Sequence, residues 1–491
     1  MGAIIAVVDK KGGDATGTAV TMLSALSSAS AGAFDIASPW CVEKEKVIDA
    51  LRKLHLNSKV VIGRKSSASL HSDNPQPMML KNAAMVFEGR IYPTRETSKI
   101  ERFALDLQER GEEAAKSFVK RSFGDYNFVF AEPVRLVAGR DPVGACPLYY
   151  GENAGFAALA SERKALWKMG IEKSDSFPPG HVAVIHQKGI RLEPAKILSY
   201  SEPAQITMRI AAKKLEKLLR HSVAQRVSGL KEVAVAFSGG LDSSIIASFA
   251  KKARCNVQLI HVSLEGQQET VYAKKAAEIL RLPIHIQLYK EEQVQESLRR
   301  VLWLIEEDDP IKTGVGIPIY WTAETAAEMG FRVMLAGQGA DELFGGYRRY
   351  VDDYSLAGEE EVRKSIFKDI VDLYKNNLER DSKICSFQNV ELRLPFATFE
   401  IAEFATALPV NLKIGPQKDN MRKLVLRKVA ENVGLPELLS KKPKKAVQYA
   451  TGVGRTLERL AKRQSVSVNT FLHGEFITML KEADSKWEKQ P

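Results

Sequence analysis

"VAVAFSGGLDSSIIASFAKK", residues 233–252, passes from an apolar strand into a helix through the turn SGGLDSS. A strand end, a glycine turn and a helix start aim backbone N–H groups and the positive end of a helix at an anion. Gly239 and Gly240 allow a tight turn and close approach of phosphate oxygens, and Ser238, Ser243 and Ser244 add hydroxyl donors. No lysine closes the loop, so it differs from the G-x-x-x-x-G-K-[ST] phosphate loop. It carries Asp242 instead, a carboxylate that suits a site beside phosphates when Mg²⁺ lies between.

Around this loop, strands and helices alternate. "EVAVAF", "VQLIHVSL", "IHIQLY" and "RVMLAG" read as buried strands. Between them the spacing predicts helices from Ser243, from about Glu269, up to about Ile305, and through "AETAAEMG". Short, uniformly apolar strands separated by amphipathic helices imply a parallel sheet covered on both faces. Beyond residue 350 the pattern is mostly helical. The first 195 residues read instead as short strands and turns, among them "AIIAVVD", "AAMVFEGRIY" and "YNFVFAEPVRLVAG", with two helical stretches, which predicts a sheet-rich α+β domain. The polar stretch "SYSEPAQ" (199–205) separates the two patterns, giving domains over 1–198 and 206–491.

The 491 residues suffice for two or three domains, and 45% hydrophobic with 27% charged residues is an ordinary soluble mixture. Cys41, Cys146, Cys255 and Cys385 are far apart with no CxxC pair, which argues against a disulfide framework or thiolate metal site and points to a reducing cytoplasm. No apolar run reaches the roughly 18 residues of a membrane span, and "MGAIIAVVDKKGG" lacks the features of a secretory signal. A net charge of +11 and the run "KKPKK" (441–445) raise nucleic acid as a partner. Without interleaved aromatics or a nucleic-acid module, a solvated basic face is the favoured reading.

A second stretch, "VMLAGQGADELFGGYRRY" (333–350), puts another strand end, a glycine turn and the pair Asp341-Glu342 at the carboxyl edge of the sheet, facing Asp242. Two aspartates from neighbouring strand ends make a Mg²⁺ site. "SGGLDSS" resembles the pyrophosphate-binding loop of the ATP pyrophosphatase (PP-loop) superfamily, and residues 333–350 are similar to the "SGEGADELFGGY" pattern of asparagine synthetases. "RDPVGACPLYYG" (140–151), "ASERKAL" (160–166), "FPPG" (177–180) and "ELRLPFATFEIAEFA" (391–405) follow that family in order. The resemblance spans nearly the whole chain. It implies an Ntn-hydrolase-like glutamine amidotransferase sandwich followed by a parallel-sheet PP-loop synthetase domain with a helical C-terminal part. It also implies ATP and Mg²⁺, cleavage between the α and β phosphates, transfer of AMP to a small-molecule carboxylate, and displacement of AMP by ammonia. Residue by residue, it places Ala236, Phe237, Val262 and Gly337 around the adenosine, Asp242 and Asp341 on Mg²⁺, and Lys445 or its neighbour Lys444 against the charge that builds on the acyl-phosphate.

The chain also departs from the family. The amidotransferase nucleophile is a cysteine after the initiator methionine, using its own amine as base; here that residue is Gly2. The "NGEIYN" positions that serve the oxyanion and the substrate read Glu88 and Arg90, and Lys99 stands for a substrate-binding aspartate. A carboxylate where an oxyanion forms opposes catalysis. In the synthetase half Gln338 replaces a glutamate, and an amide cannot take a proton from an attacking amine. The Thr-Thr-x-Arg clamp for aspartate, expected on the turn from Glu306, reads Ile311, Lys312 and Gly314, leaving Lys312 as a point charge. The expectation is an AMP-forming amide ligase without glutaminase activity, with nitrogen arriving as ammonia, from a separate glutaminase or as another amine. The first domain would then serve as a scaffold or dock a protein partner. Two alternatives are a PP-loop RNA-modifying enzyme and an ATP-binding regulatory homologue.

Overall fold

The computed structural model describes residues 2–27, 32–66, 76–92, 98–415, 421–443 and 445–486. Contacts divide the chain into two compact units, one of Met1–Ile197, Ser386–Glu391 and Thr478–Pro491, the other of Leu198–Cys385 and Leu392–Ile477.

In the first unit, β1 (Ala3–Asp9) is apolar at nearly every position because both of its faces are covered. Ile4, Ala6 and Val8 join a cluster with Val60, Ile62, Val129 and Ala138 between two sheets. Ile5 and Val7, pointing the other way as strand alternation requires, pack on Ala19 and Leu23 of α1 (Thr16–Ser24). Among the described residues one sheet has seven strands, with β1 paired antiparallel to β2 (Val60–Lys65) and to Phe156–Ala160. The other has six, including the antiparallel pair β3 (Ala83–Ile91) and β4 (Gly124–Glu132). Its outer face is closed by α2 (Ser98–Arg110) and α3 (Glu112–Arg121), through Phe103, Leu107, Ala115 and Val119. Two stacked antiparallel sheets with helices outside them form a four-layer α+β unit.

The second unit opens with α4 (Met208–Val227), which buries Leu215, Leu219 and Val223 at helical spacing. Its five-stranded sheet contains β5 (Glu232–Ala236), β6 (Asn256–Leu264), β7 (Ile284–Tyr289), β8 (Val333–Leu335) and β9 (Glu391–Arg393), in the order β7-β6-β5-β8-β9. The pairs β5·β6, β5·β8 and β6·β7 are parallel. The crossovers are helical, with α5 (Leu241–Lys252) after β5, α6 (Gln268–Leu280) after β6, and α7 (Glu291–Ile305) and α8 (Pro310–Glu328) between β7 and β8. The order reverses at β5, so the loops leaving β5 and β8 open into the same crevice at the carboxyl edge. A mostly helical C-terminal part follows. No described helix is long and apolar enough to cross a membrane.

α8 starts earlier than the pattern around "AETAAEMG" suggests. Asp309 caps it, its carboxylate accepting from the Lys312 N–H at 2.7 Å, and Pro310 takes the first helical position, where no N–H is needed. The stretch from Glu306 that the sequence suggests is a turn is therefore, from Pro310 on, the first turns of a helix.

Candidate active site

At the end of β5 the Phe237 N–H donates to the Ile260 carbonyl at 2.8 Å, holding the chain beside β6 until it turns. Gly239 makes that turn at φ +65, and a Cβ there would lie 2.8 Å from Ala273 Cα, so both the conformation and the packing against α6 require glycine. Ser238 Oγ accepts from the Gly240 N–H at 3.3 Å, Gly240 is the N-cap of α5, and Asp242 stands in its first turn. Ser244 is buried with its Oγ unpaired among the described residues.

After β8 the chain passes Gly337 and Gln338 into the short α9 (Ala340–Phe344), which carries Asp341 and Glu342. The Asp242 and Asp341 side chains converge. Both reach the ammonium of Lys423, Asp242 Oδ2 at 2.7 Å and Asp341 Oδ1 at 2.8 Å, and Lys423 is only 3% exposed. Glycine makes the approach possible, since a Cβ on Gly346 would lie 1.9 Å from Asp341 Oδ1. Asp242 Oδ1 is sealed from solvent and accepts no hydrogen bond from a described residue. Two converging carboxylates, one with an unused buried oxygen, fit a divalent cation. Among the described residues no group of three acidic, histidine or cysteine side chains gathers, so phosphate oxygens or water would complete its shell.

A cavity of about 390 Å³ opens above these loops. Ala236, Phe237, Ser238, Asp242, Ser243, Val262, Gly337, Gln338, Asp341 and Lys445 all line it, although they span two hundred residues of sequence. Gly239, Gly240 and Ser244 shape the loop behind it, and Lys444 lies outside the described residues. Lys445 pairs with Glu269 at 3.3 Å, while Lys442 holds the same carboxylate at 2.9 Å. Burial pushes the Glu269 carboxyl up, but hydrogen bonds and charge from the two lysines outweigh it and keep it below its ordinary value. Lys441 pairs with Glu437, so the described lysines of the "KKPKK" run are engaged one by one with carboxylates. Lys312 does not reach the cavity. It pairs with Glu307, and the neighbouring Ile311 and Val315 present an apolar wall.

Sequence reasoning missed Lys423 and the partners that Glu342 and Gln338 meet at the cavity. Glu342, buried beside Asp341, accepts from the Tyr347 hydroxyl and from Asn377 Nδ2, and burial raises its carboxyl above the ordinary range. Gln338 donates Nε2–H to Asp381 Oδ2 at 2.5 Å, and Arg380 Nε–H donates to Asp381 Oδ1 at 2.7 Å. Asp381 is fully buried, which raises its carboxyl, while Arg380 and Gln338 pull it back. The amide at position 338 supplies an N–H donor to Asp381 that a carboxylate there could not. Gln338→Glu is expected to put two carboxylates in contact, lowering stability at pH 7 by about 1–3 kcal/mol. One of the pair would then have a raised pKa in the folded state, so the deficit should shrink as pH falls. Urea midpoints at pH 7 and pH 5 check both points.

One unit is built on antiparallel sheets and the other on a largely parallel α/β sheet. The asparagine synthase family model matches residues 214–358 and 353–490, and a glutamine amidotransferase domain model matches 64–168. A putative asparagine synthetase [glutamine-hydrolyzing] 1 of Methanocaldococcus jannaschii is 35% identical over 405 residues, covering 73% of this chain and 74% of that protein. Asparagine synthetases of Triphysaria versicolor and Arabidopsis thaliana are each 26% identical, covering 70% and 76% of this chain and 60% and 68% of their own lengths. The chain belongs to the asparagine synthetase family.

Proposed function

We propose that the chain is an AMP-forming amide ligase that activates a carboxylate, aspartate by family default, as its acyl-adenylate and aminates it with ammonia or another amine. The observation that carries the reading is the meeting of Asp242 and Asp341 at one ammonium, on loops from neighbouring parallel strands below the cavity. The SGGLDSS turn and the start of α5 would hold the departing pyrophosphate, leaving the α-phosphorus open toward the cavity. Mg²⁺ on the two aspartates would neutralise phosphate charge. The backbone at Ala236, Phe237, Val262 and Gly337 would surround the adenosine. Lys445, the less tightly held of the two lysines on Glu269, can turn its ammonium toward the acyl-phosphate. Exchange of labelled pyrophosphate into ATP across a panel of carboxylic acids, followed by an amine screen with the responsive acid, tests the reading. Exchange with none of the acids, or ADP as product, would overturn it.

The same reading gives the first unit no glutaminase activity. Gly2 lies beside Glu88 and Arg64, whose Oε2 and Nε are 3.6 Å apart and lack hydrogen bonds to described residues. A Cβ at position 2 would meet Lys65 O at 2.8 Å and both Glu88 Oε2 and Arg64 Nε at 3.0 Å. Space and charge at this position are taken up by an ion pair, with a carboxylate where glutamine hydrolysis develops an oxyanion. Gly2→Cys is therefore expected to release no glutamate from glutamine beyond the parent protein, in a coupled glutamate assay. Nitrogen would come from free ammonia, a separate glutaminase or another amine, and the first unit is free to dock a protein partner.

A further inference from the structure

Arg380 and Gln338 share Asp381, and each keeps one polar group unused. Arg380 commits Nε to Asp381 and Nη1 to the Asn376 carbonyl at 3.4 Å. Its Nη2 has no partner among the described residues, although the side chain is only 3% exposed and lines the cavity. Gln338 must turn its amide nitrogen to the carboxylate, so its Oε1, also without a described partner, is left as an acceptor at the cavity wall. On the α8 side, Ile311 and Val315 are apolar and Lys312 is paired elsewhere. A guanidinium fixed along one edge by a buried carboxylate, with a donor left over, is a preorganised receptor for a second carboxylate.

We propose that Arg380 is the specificity-determining residue for the acceptor acid. It receives a second anionic group on that acid, in place of a clamp at the start of α8, and Asp381 acts as its positioning residue. The inference rests on the ligase reading for the first carboxylate, the one that is activated.

The test uses acids that differ by the second carboxylate alone, succinate against butyrate and aspartate against 3-aminopropanoate, in pyrophosphate exchange with the full chain. The wild-type protein should favour each diacid by about 100-fold in kcat/KM, near the upper end of what one hydrogen bond to a charged group contributes. Arg380→Gln should reduce that ratio to below about tenfold by losing the diacid, with ATP affinity unchanged. Asp381→Asn should raise KM for the diacid while kcat and the KM for ATP stay near wild type, a split that a merely structural role would not give. A wild-type preference for the monoacids overturns the proposal, as does an Arg380→Gln variant that binds ATP normally and keeps its ratio. If Arg380→Gln does not fold, Arg380→Lys, which keeps the charge beside Asp381 but loses the fork, should show the same fall, and an unchanged ratio counts against the proposal. If the wild-type protein exchanges pyrophosphate with no acid, the ligase reading falls. Calorimetric titration of succinate and butyrate into wild type and variant then decides the role of Arg380 separately: succinate binding that depends on Arg380 supports it, and no succinate binding by the wild type ends it.

Discussion

Asp242→Asn is expected to slow pyrophosphate release on the order of 10³-fold, about 4 kcal/mol of barrier, while leaving the fold intact. The substitution is nearly isosteric and stays on the first turn of α5. Its amide oxygen can still accept from Lys423, now 2.7 Å from the carboxylate, so the thermal midpoint should move by only a few degrees. What is lost is one of two negative charges able to hold a divalent cation beside phosphates. The loss should therefore depend on metal. Raising Mg²⁺ should recover part of the rate, and Asp341→Asn should behave alike, because both side chains meet at the same point. The double variant should cost little more than either single one, since the two act as a unit. Single-turnover pyrophosphate release across a Mg²⁺ series checks all three statements. A rate within tenfold of wild type at ordinary Mg²⁺ would remove the aspartates from the chemistry.

The SGGLDSS turn was legible because its residues do local work. Gly239 turns, Ser238 Oγ accepts from the Gly240 amide, Gly240 caps α5, and Asp242 lies one residue into the helix, so a span of seven residues states its own geometry. The alternation of apolar runs likewise foretold the parallel sheet. Where sequence reasoning stopped, the cause was distance along the chain. Lys423 is 181 residues from Asp242, in the basic stretch "NMRKLVLRK", where nothing in composition or period marks one cation as buried. The carboxylate that Gln338 donates to, Asp381, is likewise 43 residues away and unmarked in the sequence. One miss was local. The Asp309-Pro310 pair is a helix-start signature, and reading it would have placed Ile311, Lys312 and Gly314 in a helix and not in a turn.

Lys423→Met is expected to lower stability by about 3–5 kcal/mol when no nucleotide is present, more than any surface substitution would. The ammonium is sealed between two carboxylates, and their oxygens can be no further apart than the sum of 2.7 and 2.8 Å. Methionine fills the same length but leaves two facing anions, one with an oxygen already without a hydrogen bond, in a place that solvent barely enters. The wild-type arrangement thus has a cation of its own, the Lys423 ammonium, where the ligase reading puts a divalent one. It follows that Mg²⁺ with ATP should restore most of the lost stability in Lys423→Met, by binding only the folded form, and should add less to the wild type, where the metal must compete with an ammonium. Urea midpoints with and without Mg²⁺-ATP, for both proteins, give the four numbers required. A variant as stable as wild type without ligand would mean that the carboxylates are not held together by Lys423, and an equal gain from Mg²⁺-ATP in both would mean that metal and ammonium do not share the site.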